Sequence, residues 1–167
     1  WNPTPSGLTA IEASSPIFGT VEQFLAWNLK DKTDSRIAKA IVLYQDLLKF
    51  HADDKNDSAR VAANLDRLVF GYNHAVGEEK DALYIAALKR FANDNRDHDL
   101  ASMAYFHWAS VLHGQSKLVE ARDLALQGKN LHPNSVGGKQ CHNLIAQIEA
   151  KSFQLTTERV WNEPLPV

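Results

Sequence analysis

The stretch "WASVLHGQSKLVEA", residues 108–121, decides the architecture. Trp108, Leu112 and Ala121 stand among small and polar residues at intervals that suit a helix, a tight turn and a second helix. Upstream, Leu100 to His113 includes "MAYFHWA" and is apolar on most sides, as expected of a helix lying between neighbours. Downstream, a helix over about Lys117 to Leu131 must stop before His132-Pro133, because proline cannot continue a helix and restricts the residue ahead of it. These are the fifth and sixth helices of the chain.

Towards the N-terminus the same three-and-four spacing recurs. Glu78, Glu79 and Asp81 favour the positive end of a fourth helix, which continues through "ALYIAALKRF" and is also apolar nearly all round. A third helix starts at Asp57 or Ser58, carries Val61, Leu65, Leu68, Val69, Tyr72 and Val76, and ends at Gly77. A second spans about Ser35 to His51, with Ile37, Ile41, Tyr44 and Leu48 on one stripe and Ala40 and Leu47 beside it. The first begins at Thr20, where Gln23 completes a capping box, and is expected to end near Asp31. Residues 1–19 hold three prolines, Gly7, Gly19 and a Ser-Ser pair, and read as an extended arm.

Beyond His132-Pro133 a seventh helix covers about Asn134 to Lys151. Its apolar stripe is Cys141, Leu144, Ile145 and Ile148, with Lys139, Gln140, Asn143 and Gln147 outside, the one-sided pattern of an element that closes a stack. Residues 152–167 end in two prolines and read as an extended exit segment. The predicted domain is therefore residues 20–151, all-α, with about seven helices joined by short polar turns.

Composition narrows the function classes. With 44% hydrophobic and 23% charged residues the chain is of an ordinary globular type, long enough to bury about 70% of the surface its unfolded form exposes. Eighteen basic residues against 20 acidic ones, with neither sign in a long block, argue against nucleic acid as a partner. The longest apolar run, Ala82 to Leu88, is far short of a membrane span, so no membrane insertion of this segment is expected. The chain begins at Trp1 with no Met and no leader pattern, which gives the expectation that any targeting segment has been removed.

Recognised chemistry is missing from the sequence. The seven histidines include no His-x-x-x-His pair, and Cys141 has no second cysteine, so no metal or cofactor is expected. The acidic loops "DDKND" and "NDNRDHD" lack the central Gly and terminal Glu of a calcium loop. There is no G-x-S-x-G, P-loop or G-x-G-x-x-G, and adjacent Glu78 and Glu79 point about 100° apart on a helix. The expectation is a protein that is not an enzyme.

Residues 102–135 resemble a tetratricopeptide unit. They have its 34-residue length, with aromatic Tyr105, bulky Trp108, small Ala109, Leu112, small Ala121, and Pro133 near the end. The copy is degenerate: Gly128 stands where the family prefers Ala, and Ser116 and Ala125 replace the usual Gly and aromatic. "AIVLYQDLLKF" from Ala40 and "ALYIAALKRF" from Ala82 resemble second helices of two earlier pairs, at spacings longer than 34. The resemblance implies a right-handed antiparallel helical-hairpin solenoid; the alternative is an irregular helical bundle. In such stacks the first helix of each pair lines the concave face. A partner groove is then expected at Phe70 and Asn73, Phe106, Ser110 and His113, and Lys139 and His142. Phe70 and Phe106 read equally well as core.

A wider resemblance covers about residues 12–167. "FLAWNLKD", "LLKFHADDKNDSARVAANLDRL", "EEKDALYIAALKRF", "PNSVGGKQCHNLIAQIEAKSF" and "TTERVWNEP" resemble the helical region preceding the first macroglobulin domain in large bacterial proteins of the alpha-2-macroglobulin family. That implies a periplasmic or cell-envelope setting, a protease-trapping parent protein, and a β-domain following the exit segment. The family's thioester does not carry over, because Cys141 is followed three residues later by Leu144 rather than Gln. The implied role is non-catalytic protein interaction or domain positioning, with a protein or peptide as partner, other domains of the same chain being one candidate. The alternative is a stand-alone adaptor binding an extended peptide in its groove.

Overall fold

The computed structural model describes residues 10–29 and 35–154. Seven α-helices carry them: α1 Val21–Leu25, α2 Arg36–Phe50, α3 Ser58–His74, α4 Lys80–Asp94, α5 Leu100–Gly114, α6 Leu118–Leu131 and α7 Val136–Gln154. The fold is all-α. Helix α7 runs past Lys151, so the expected exit segment begins as helix, and its remainder from residue 155 lies outside the described residues.

Local signals account for most helix ends. At α1 the capping box forms as spelled: the Gln23 backbone N–H donates to Thr20 Oγ1 at 3.3 Å and the Thr20 N–H to Gln23 Oε1 at 2.9 Å. Ser35 caps α2 by accepting from the N–H groups of Ile37 and Ala38. Helix α1 stops at Leu25 instead of continuing towards Asp31. The side-chain amide of Gln45, buried on α2, donates to the carbonyls of Phe24 at 2.7 Å and Trp27 at 2.9 Å. Those carbonyls gain partners outside the helix, and Leu29 turns into the core.

Residues 10–19, expected as part of the arm, are built into the domain. Ile11–Glu12 (β1) pairs in parallel with Ala75–Val76 (β2), and Pro16–Phe18 forms a 3-10 turn. Ile11, Ala13, Ile17 and Phe18 are buried. Ile17 lies against Gly71 of α3, where an added Cβ would stand 2.5 Å from its Cγ1. Helix α3 consequently ends at His74, before Gly77, because Ala75 and Val76 are needed in extended form for the pairing. Val76, expected on the apolar stripe of α3, is exposed at 46%.

Helix directions follow from the contacts. Ser102 near the start of α5 meets Gly128 near the end of α6, and Arg122 near the start of α6 meets Glu149 near the end of α7. Both neighbours are therefore antiparallel. Gly137 at the start of α7 abuts Ser102 and Met103 at the start of α5, so α5 and α7 lie side by side and parallel, with α6 against both. Tyr72 near the end of α3 bonds Asp81 near the start of α4, and Gln115 just after α5 bonds the same Asp81, which continues the up-and-down order.

Two apolar clusters result. The larger joins residues 10–29 to α2, α3, α4 and α5 through Phe24, Ile41, Leu68, Tyr84, Leu88, Phe91 and Ala104. The smaller holds Ala109, Ala121, Leu124, Ala125, Cys141, Leu144 and Ile148 between α5, α6 and α7. Tyr105 and Trp108 of α5 touch both, and none of residues 100–113 is fully exposed. That matches the expected interior position of α5. Helix α4 differs: Ala82, Ala86, Lys89 and Asn93 form an exposed stripe, so it borders solvent on one side. Alanine's small side chain supports a helix in water as well as in a core, which is why composition misplaced it.

Candidate functional site

The seven residues expected in a partner groove occupy different surroundings. Phe70 is half-buried, stacked on His74 at 4.2 Å between ring centroids and tilted against Tyr44 of α2 at 5.5 Å. Asn73, one helical step away, is exposed. Phe106 is half-buried against the smaller apolar cluster, and the Ser110 hydroxyl donates back to its carbonyl at 2.8 Å, so that hydroxyl is already engaged. His113 is half-buried near the end of α5. Lys139 and His142 are exposed and line a shallow cavity of about 430 Å³ with Lys129 of α6, Pro133, Gly138 and Asn143. That lining includes no residue of α5, so Lys139 and His142 belong to the α6–α7 face and not with Phe106, Ser110 and His113.

Close approach of α5, α6 and α7 explains why. The Ser102 hydroxyl donates to the Gly128 carbonyl at 2.8 Å, and the Cys141 thiol points to the Ser102 carbonyl at 3.6 Å. An added Cβ at Gly128 would lie 2.6 Å from Tyr105 Cβ and 2.7 Å from Cys141 Sγ, and one at Gly137 only 2.2 Å from the Met103 nitrogen. Cys141 is fully buried here, and burial pushes its thiol up to about 12. It packs as a small apolar residue, with the thiolate needed for nucleophilic chemistry suppressed.

A second cavity, of about 300 Å³, was not anticipated. It lies between α3 and α4 beneath the start of α1, and its lining includes Arg60, Asn64, Arg67, Arg90 and Asn95 together with the carboxylates Glu22, Asp57 and Asp94. Arg67 is only 1% exposed. Its Nε donates to Asn64 Oδ1 at 2.8 Å, and its terminal nitrogens donate to the carbonyls of Ile17 at 3.0 Å and Gly19 at 2.9 Å. The guanidinium also lies 4.6 Å from the centroid of Phe24. Arg90 donates to the intervening Phe18 carbonyl at 2.8 Å. Three successive carbonyls leaving the 3-10 turn are thus held by two arginines.

Those arginines lack a carboxylate within ion-pair distance among the described residues, whereas Arg60 has Asp57 at 3.5 Å. Burial, then the neighbouring Arg90 charge, pull the Arg67 guanidinium down to about 9. Arg60, Asn64 and Arg67 share one face of α3 at intervals of four and three, the signal by which the stripe could have been seen. In sequence, such a stripe reads as a solvated face, because nothing local says that α4 and residues 17–19 close over it.

Among the described residues no group of three or more His, Cys, Asp or Glu side chains is arranged to hold a metal ion, and no helix is long and apolar enough to cross a membrane. No protein-family model, curated protein or solved structure matches the chain.

Proposed function

We propose that the chain is a non-catalytic scaffold for protein interaction or domain positioning, built as a right-handed tetratricopeptide-like stack within a bacterial alpha-2-macroglobulin-like protein. The supporting observation is the α5–α6–α7 unit, in which α6 is antiparallel to both neighbours while α5 and α7 run parallel in contact. That order is what successive helix pairs produce when each shields the apolar side of the one before it. Reading the coding sequence beyond Val167 tests the parent assignment. Successive β-rich segments and a distant Cys-x-x-Gln are expected; a stop codon soon after Val167 removes the macroglobulin reading and leaves the stack.

A stand-alone adaptor is the second reading, favoured by the α6–α7 cavity. Lys129, Lys139 and His142 gather there beside Asn143, a set suited to an acidic extended segment. Titrating acidic and neutral extended peptides against the wild type and Lys139→Glu distinguishes the two. Selective binding of the acidic peptide, weakened by the substitution, favours the adaptor; equal indifference to both peptides favours domain positioning.

A further inference from the structure

We infer that the cavity between α3 and α4 is a binding site for a compact oxyanion, carboxylate or phosphate, held by Arg90 and Arg67 with Arg60 at its mouth. This stands apart from the scaffold reading and does not depend on it.

The argument starts from hydrogen-bond accounting. A guanidinium carries five N–H donors. Arg67 spends three on Asn64 and on two carbonyls, and Arg90 one on a third carbonyl, so both retain donors that no protein acceptor takes among the described residues. Backbone carbonyls supply dipoles but no countercharge. A buried cation without one is costly, and an oxyanion with several lone pairs in a fixed geometry relieves both deficits. Burial is the main cause of the lowered proton affinity of Arg67; the neighbouring Arg90 charge lowers it further, and Glu22, beyond ion-pair distance, offsets it only in part.

The acidic residues of the lining limit what can enter. Asp57 is engaged with Arg60, and neither Glu22 nor Asp94 comes within ion-pair distance of Arg67 or Arg90. Glu22 is exposed, and its carboxyl is held below the ordinary value by hydrogen bonds from its own backbone amide and Thr20, so it is ionised at neutral pH. These carboxylates repel a diffuse anion at the rim, and a volume of about 300 Å³ admits a small one. The site therefore selects a compact group able to reach both arginines.

The test is calorimetric titration of the full chain with inorganic phosphate and with malonate, against sodium chloride at equal ionic strength. Saturable binding of either anion is expected, phosphate alone identifying a tetrahedral ligand and malonate alone a carboxylate. Arg90→Gln is expected to weaken it by about tenfold or more, the worth of a charge-assisted bond. Glu22→Gln, at an exposed position, is expected to tighten it about threefold by removing a like charge. The proposal is overturned if neither anion binds wild type or Glu22→Gln beyond the chloride control. Unchanged affinity in an Arg90→Gln protein with wild-type circular dichroism also overturns it.

Discussion

At Gly128 a hydrogen in place of a methyl sets how closely three helices meet. Tyr105 Cβ and Cys141 Sγ leave no room for a side chain, so Gly128→Ala should destabilise the protein by about 1–3 kcal/mol, read as a lowered denaturant midpoint. The absence of a side chain at this position therefore has a packing cause, with Tyr105 and Cys141 filling the space. Gly114 is the contrast: an added Cβ meets nothing within 4 Å, and Gly114→Ala should stabilise by about 0.5–1 kcal/mol by restricting the unfolded chain. Two residues on, Ser116 adopts φ 62°, a left-handed conformation that favours glycine. Ser116→Gly should raise the melting temperature, the relieved strain of about 1 kcal/mol exceeding the added chain entropy. A fall in stability would show that the turn does not hold this conformation in solution.

Helices were legible from the sequence wherever the deciding interactions lie within a few residues. The Thr20 capping box, the Ser35 cap and the stop before Pro133 all work at short range. Which face of a helix is buried was less legible. On α2 the buried stripe is Ala38, Ile41, Gln45 and Leu48, rotated from the expected Ile37, Ile41, Tyr44 and Leu48 because Gln45 must reach the carbonyls ending α1. Glutamine reads as solvent-facing until its distant acceptors are known. Gln45→Met should cost about 1–3 kcal/mol by leaving those two carbonyls without that donor. Ala121, fully buried in the smaller cluster, tests the packing of α6: Ala121→Leu should cost about 1–3 kcal/mol, and an unchanged melting temperature would contradict the close pairing.

For the whole molecule, acid stability carries a signature of His107. Burial lowers its pKa below the ordinary 6.5, so under acid conditions the unfolded state binds the proton more readily than the folded one. The corresponding stability is fully present above pH 6.5 and is lost as pH falls below it. Melting temperatures measured between pH 7.5 and 5 should fall more steeply for wild type than for His107→Gln; parallel curves would show that His107 titrates normally. The same scale hid the arginine cavity. Arg67 reaches the Ile17 carbonyl across 50 positions of the chain and Arg90 reaches Phe18 across 72, so no window of sequence contains either pairing. The groove residues suffered likewise, since the α6–α7 face separates Lys139 and His142 from the α5 set.

The amino-acid order by itself determined an all-helical chain of seven segments and most of their limits, because spacing, caps and proline stops act over one or two turns. Only the tertiary structure decided that residues 10–19 enter the core, which side of α2 and α4 is buried, and that Arg67 and Arg90 converge on one cavity. Those outcomes depend on which distant surfaces meet, and a buried polar group declares itself only once its partner from elsewhere in the chain is in place.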